Sequence, residues 1–229
     1  MDHRDSEAAD LSLMRRCIAL AASGRSDGEY PFAAVVGRRG EFICEAFNMV
    51  RREGDVTRHA EMVALSAAQQ NLRSSSLDDC TLYSTIEPCA MCSYAIRESR
   101  IGRVIFGLQS PVMGGHSRWN ILSDGNLSSV MPEVFALPPY VLPGCLHEEV
   151  RKLFRRRHPL AWRVIENRRI FIEQADSTEM NAVNSGERPG LRERLASWAR
   201  SQIFDRLWRS SPANGVNGQK IMVMYKPLG

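Results

Sequence analysis

Apolar residues at Leu11, Met14, Ile18 and Ala21 recur at steps of three and four, the spacing of one helix face, and predict an amphipathic first helix. Gly24 to Gly28 reads as a loop with a glycine cap behind that helix. Two short apolar runs follow, Phe32-Ala-Ala-Val-Val-Gly37 and Phe42-Ile-Cys-Glu-Ala-Phe47, and Arg38-Arg39-Gly40 between them predicts a hairpin turn. Asn48 to Thr57 is polar and reads as loop, and the Ala- and Leu-rich spacing from Arg58 to Gln70 predicts a helix. Cys80 to Thr85 reads as a short strand after an Asp78-Asp79 turn. Pro88 suits the first turn of a helix over Cys89 to Glu98, because proline brings a helical φ and has no N–H to leave unpaired. Arg103 to Leu108 is another strand. Ser110 to Pro132, rich in Gly and Ser, reads as a loop too long for a mere connector. A further strand is expected within Glu133 to Leu142, then a helix over Gly144 to Arg157 with Leu146, Val150, Leu153 and Phe154 on one side. Strands alternating with helices indicate an α/β sandwich.

After Phe171-Ile172 the pattern changes. Glu173 to Gly190 is polar and expected to be disordered. Leu191, Leu195, Trp198, Ile203 and Leu207 then predict one more amphipathic helix, and Ile221 to Tyr225 an isolated strand. The chain therefore divides into a domain over residues 1–172 and a C-terminal extension over 173–229 in which no motif is recognised.

Charge sharpens that division. The net charge of +4 hides an acidic body, with 14 Lys+Arg against 19 Asp+Glu in residues 1–150, and a basic remainder, with 16 against 7 in residues 151–229. A basic extension suits a polyanion partner or a solvated tail equally. No apolar run approaches the roughly 20 residues a membrane span needs. The polar N-terminus carries no export signal, so a cytoplasmic protein is expected. The six cysteines are then not expected to form disulfides, and four of them read as small buried hydrophobes.

Cys89 and Cys92 differ, because they form a C-x-x-C pair at a predicted helix start, where two thiols three residues apart face the same way. The helix terminus also stabilises thiolate charge. Alone, such a pair reads as a redox couple, a metal site or chance. With His59 at the start of another helix it makes three donors and an open fourth position, the catalytic rather than the structural zinc arrangement. A structural site would want a fourth ligand, and the spare candidates His116 and His147 lie in no ligand-spaced pattern. Glu61, two residues past His59, would lie near a water at such a centre without ligating the metal, and a carboxylate there can move protons.

His59-Ala60-Glu61 with Pro88-Cys89-x-x-Cys92 resembles the cytidine and deoxycytidylate deaminase superfamily, whose signature is H-x-E followed by P-C-x-x-C. The similarity runs over about residues 8 to 157. It is strongest to the branch of bacterial tRNA adenosine deaminases, guanine deaminases and yeast-type cytosine deaminases. Pro31-Phe32-Ala33-Ala34-Val35-Val36, Asn48, Thr81-Leu82-Tyr83, Glu87-Pro88-Cys89-Ala90-Met91-Cys92 and Ser99 to Gly107 carry it. The resemblance implies a three-layer fold, a mixed five-stranded sheet flanked by helices, and a homodimer. It implies zinc held by His59, Cys89 and Cys92, with Glu61 as proton shuttle. Asn48 and the backbone N–H of Ala60 would contact the base, and Phe32 would line the pocket floor. The reaction it implies is attack of water at an amino-bearing ring carbon of a nucleobase or nucleoside, with release of ammonia.

Substrate choice divides the resemblance. Ser99 to Gly107, Ala90-Met91 and the basic helix Arg151 to Arg157 look like tRNA adenosine deaminases. Pro31-Phe32 looks like the small-base enzymes, and the Pro111 to Asn120 loop departs from the short loop of the tRNA enzymes. Within it Trp119 is expected to stack on a base and His116 or Arg118 to bind a polar edge, or Trp119 to be a loop anchor or dimer contact. A free base or nucleoside is the preferred expectation, tRNA the second, and a non-catalytic partner protein the third. Such partner proteins typically lack the glutamate that stands here at Glu61.

Overall fold

The computed structural model describes residues 3–23, 29–172 and 224–225. The predicted loop at Gly24 to Gly28, the polar stretch from Glu173 and the helix from Leu191 to Leu207 lie outside the described residues.

Helix α1 (His3–Ser23) precedes a hairpin of β1 (Ala33–Arg38) and β2 (Glu41–Phe47). The hairpin turns at Arg39 and Gly40, both with positive φ, as a tight two-residue connection requires. A single helical turn α2 (Val50–Glu53) leads to α3 (Ala60–Leu72), β3 (Cys80–Ile86), α4 (Ala90–Glu98) and β4 (Arg103–Leu108). A 3-10 turn (Ile121–Ser123), α5 (Gly125–Val130), β5 (Tyr140–Leu142), α6 (His147–Arg157), α7 (Pro159–Asn167) and a two-residue β6 (Met224–Tyr225) complete the described elements. The sheet order is β5-β4-β3-β1-β2-β6. β3 runs parallel to β4, and β4 to β5, while β1 is antiparallel to both β2 and β3. The expected mixed five-stranded sheet is present, with β6 added at the β2 edge.

Every residue of β3 is buried, which suits a central strand covered on both faces. The two faces feed separate cores. Ala34, Val36, Leu82, Val104 and Phe106 pack with α3 and with Ile96 of α4. Ala33, Val35, Tyr83 and Ile105 pack with Leu13, Met14 and Cys17 of α1 and with Val150, Leu153 and Phe154 of α6. Asp10 ties α1 down by accepting a hydrogen bond from the Tyr83 hydroxyl at 2.6 Å and two from the Arg103 guanidinium at 3.1 and 2.7 Å. Among the described residues no helix is long and apolar enough to cross a membrane.

Three stretches differ from the sequence expectation. The polar segment after Asn48 holds α2, whose turn is closed by Gly54 in the left-handed region. Residues 110–132 are not one loop: Asp124 caps α5 by accepting from the Asn126 N–H. Arg97, only 1% exposed, donates from α4 to the carbonyls of Ile121, Asp124 and Ala136 and to the Ser128 hydroxyl. Those bonds organise the segment from a distance. Finally, α7 follows α6 directly, with Pro159 in its first turn and Trp162 buried against Phe154.

Because β3 and β4 are parallel, the chain leaves both at the same end of the sheet. β1 is antiparallel to both neighbours, so its entry and the exit of β2 lie at that end too: Ala33 pairs with Phe47, and Ala34 with Ser84. Residues 29–32, 48–59, 87–89 and 109–120 therefore gather at one rim, and a crevice beyond strand carboxyl ends is where open α/β sheets bind ligands.

Candidate metal centre and active site

Two helices start at this rim. His59 precedes α3 and Cys89 precedes α4, both with extended backbone angles and neither capping its helix with its side chain. Cys92 lies within the first turn of α4 and is fully buried. His59 Nδ1 is 3.5 Å from each sulfur, and the sulfurs are 3.6 Å apart. Among the described residues this is the one trio of potential ligands that meets so closely. A tetrahedral zinc with Zn–S bonds of about 2.3 Å and Zn–N of about 2.1 Å would set its donors roughly 3.8 Å (S to S) and 3.6 Å (S to N) apart. The observed triangle fits that ion to within a few tenths of an ångström.

Electrostatics agree with a cation in the triangle. Hydrogen bonding between the two sulfurs, foremost, with His59 alongside, lowers the Cys89 thiol to about 4. The same bond, with burial, raises Cys92. A divalent cation held there would favour the thiolate form of both sulfurs.

Glu61, on the first turn of α3, is 7% exposed. Its Oε1 accepts from the Ser84 hydroxyl at 3.2 Å and its Oε2 lies 3.8 Å from Cys92 Sγ. Burial, foremost, raises its carboxyl above the ordinary range. The carboxylate stands beside the donor triangle and outside it.

Ala60 opens α3, where first-turn amides have no intrahelical partner. Asn48 ends the hairpin at the rim, and its amide Nδ2 donates to Glu29 Oε2 at 2.6 Å. The other Glu29 oxygen accepts from the N–H groups of Arg51 and Arg52. A carboxylate only accepts, so the orientation of the Asn48 amide is fixed.

The remaining expected residues stand differently. The Phe32 ring stacks on Tyr30 and meets Phe154 and Phe171, in the cluster under α1 and α6, whereas α3 and α4 cover the opposite face. The His116 ring sits 3.1 Å from the Ser123 hydroxyl and edge-on to Phe106. Trp119 is 56% exposed, with the Arg118 guanidinium 5.3 Å from its ring centre. Sequence reasoning missed Ser84, Glu29 and Glu87. Glu87 was visible only as part of the Glu-Pro-Cys run, and its partners lie 23 to 30 residues away.

Residues 7–108 match the cytidine and deoxycytidylate deaminase zinc-binding region. Over 114 residues the chain is 44% identical to the tRNA-specific adenosine deaminase of Aquifex aeolicus, covering 48% of this chain and 76% of that protein. The chain belongs to the cytidine and deoxycytidylate deaminase family. It is also 40% identical over 111 residues to a probable cytosine deaminase of Schizosaccharomyces pombe, covering 48% of this chain and 67% of that one. Among solved structures it resembles one from a study of tRNA deaminases that perform A-to-I editing at the wobble position. That likeness has a TM-score of 0.52 and 30% identity, over 62% of this chain and 98% of the other. The chain is thus a zinc-type deaminase, and the His59, Cys89 and Cys92 cluster fits its metal.

Protein purified without chelator should carry about one zinc per chain by elemental analysis, as one three-donor site requires. Cys89→Ala should abolish that zinc and lower Tm, because metal binding contributes to folding. Metal-free wild-type protein would sink the assignment.

Proposed function

We propose that this deaminase acts on a free nucleobase or nucleoside, with zinc held by His59, Cys89 and Cys92 and protons moved by Glu61. The observation that carries the reading is the place of Glu61: buried, fixed by Ser84, and 3.8 Å from Cys92 Sγ without joining the donor triangle. Zinc there supplies Lewis acidity that lowers the pKa of a water toward about 7. Glu61 accepts a proton from the attacking water and delivers it to the leaving amine. Its raised pKa suits a group that must hold the proton between those events. Oxygen is added at the amino-bearing ring carbon, the C–N bond breaks, and ammonia leaves. Asn48, its amide held by Glu29, and the Ala60 N–H address the polar edge of the base.

An uncharged base is favoured by the site's surroundings. The 110–120 loop is drawn onto the Cys89 segment, where the Gly115 N–H donates to the Pro88 carbonyl at 2.8 Å, and it walls one side of the rim. His116 and Trp119 lie on that wall and are the proposed contacts to the base, while Phe32 supports the segment entering β1. The likeness to a cytosine deaminase points the same way. A second reading, tRNA as substrate, is supported by the Aquifex aeolicus relative and by α6, whose last turn is Arg155, Arg156 and Arg157. That turn leads into His158, whose Nε2 lies 3.1 Å from the Glu29 carbonyl, so the basic end of α6 adjoins a segment that forms the site. The family implies a homodimer, and the sequence suits the cytoplasm. We take residues 1–172 as the deaminase domain and 173–229 as a C-terminal extension that lends β6 to its sheet edge.

Glu61→Gln should retain zinc and fold but lose nearly all turnover, because an amide cannot shuttle a proton. Substantial residual activity would require another base. Ammonia release and inosine formation, assayed over a panel of bases, nucleosides and tRNA, identify the substrate. Replacing Arg155, Arg156 and Arg157 with Gln should barely move KM or kcat for a base. A salt-dependent KM for tRNA, raised markedly by those replacements, would establish the second reading instead. A chain ending at Glu173 should keep its zinc and its activity on a base, and loss of either would assign the extension to the working enzyme.

A further inference from the structure

Glu87, the residue before Pro88, is 3% exposed and all four hydrogen bonds it accepts come from one loop. Its Oε1 takes the N–H groups of His116 at 2.9 Å and Ser117 at 2.7 Å. Its Oε2 takes the Ser110 N–H and the Ser117 hydroxyl, both at 2.7 Å. The loop is also laid directly on the segment that bears the thiols. Gly114 forms a bridge with Cys89, and the Ser93 hydroxyl donates to the same Pro88 carbonyl that receives the Gly115 N–H.

Two glycines permit that approach. A Cβ on Gly114 would fall 2.1 Å from Glu87 Oε1, and one on Gly115 would fall 2.0 Å from Ser93 Oγ and 3.2 Å from the Cys89 carbonyl. Here glycine is required by contact distance. A carboxylate is required by its acceptors, since each oxygen faces two donors. A glutamine would aim its amide hydrogens at one of those donor pairs, and an aspartate is a methylene too short to reach them all.

We propose that Glu87 is a positioning residue of the deaminase reaction: it holds the 110–117 loop against Cys89, and so fixes both the wall that faces the substrate and the backbone that presents the first thiol. Nothing it accepts from belongs to the two apolar cores; every donor lies on the rim loop. Three are to backbone N–H groups, so the loop's path is set whatever side chains it carries, and His116 and Trp119 inherit their places from it.

The test compares full-length, zinc-loaded wild type with Glu87→Gln and with the milder Ser117→Ala, which removes one of the four bonds. Amide hydrogen exchange follows the loop without any substrate, and the visible spectrum of cobalt-substituted protein follows the thiolate geometry. The activity arm rests on the deaminase reading, and the other two do not. Glu87→Gln should keep about one metal per chain. It should exchange the amides of Ser110, His116 and Ser117 tenfold faster or more while β3 and β4 stay protected, and shift the cobalt spectrum. Its kcat/KM should fall tenfold or more, and Ser117→Ala should fall between it and wild type. If Glu87→Gln does not fold, Ser117→Ala alone decides, on faster loop exchange at unchanged metal content. Loop exchange and kcat/KM within twofold of wild type would overturn the proposal. So would an activity loss that only matches the fraction of metal or fold lost, since that is what a plain staple predicts.

Discussion

His59 and Cys89 occupy the residue before a helix, a place usually given to side chains whose oxygen caps the first amides. Neither does so here; the extended backbone at both residues turns the side chains toward each other across the ends of α3 and α4. The convergence of three soft donors within 3.6 Å is the constraint on which the rest depends. It demands that two helix starts meet, which in turn demands a parallel β3 and β4 with α4 between them and α3 on the same face. The helix termini favour anionic sulfur. Two thiolates and one divalent ion would sum to zero charge, leaving the Glu61 carboxyl beside a neutral centre. Burial then sets its behaviour and raises its proton affinity, as the reaction asks of a group that must hold a proton and release it.

Bringing four loops to one rim creates a second demand, because backbone amides crowded there must find acceptors. The buried Glu87 and half-buried Glu29 carboxylates accept from N–H groups there, and the buried Arg97 guanidinium answers carbonyls instead. Glu29 serves the start of α2 and the Asn48 amide, Glu87 serves the 110–117 turn, and Arg97 serves the carbonyls and hydroxyl of the segment beyond. Among the described residues the hydrogen-bond partners of Arg97 are neutral oxygens, and its buried Nε has none. Desolvation lowers its pKa foremost, and the four bonds offset part of that cost.

The metal donors were legible in the sequence because their spacing repeats a local rule: one residue before a helix, and one turn into it. The strands Ala33–Arg38, Cys80–Ile86 and Arg103–Leu108 were legible for the same reason, as short apolar runs between breakers. What was missed depends on partners far along the chain. Arg97 reads as a surface residue in the last turn of a helix, and its acceptors lie 24 to 39 residues on. Without it, residues 110–132 look like loop, and α5 has only six residues of local signal. Helix α7 did carry a local sign, Pro159 in its first turn, but Trp162 and Ile165 declare a buried face only once Phe154 is in place beneath them. Phe32 had a plain motif, but its ring contacts with Tyr30, Phe154 and Phe171 depend largely on partners far along the chain and were not legible.

Substrate choice follows a different logic from the chemistry. The donor triangle and Glu61 stand on helix starts, braced by both cores, where small movements are costly. The groups that would distinguish a base from a tRNA stand on the 110–120 loop and the end of α6. Each reaches the site through its own tether: Glu87 for the loop, and the contact of His158 with the Glu29 carbonyl for the helix. Glu29 also grips Asn48, so a shift at the end of α6 reaches the residue that would read the base without passing through the metal donors. Two separate tethers thus meet at one reaction centre, one from the 110–120 loop and one from the end of α6. On the proposed reading the loop and the helix end, rather than the zinc motif, would select what is deaminated.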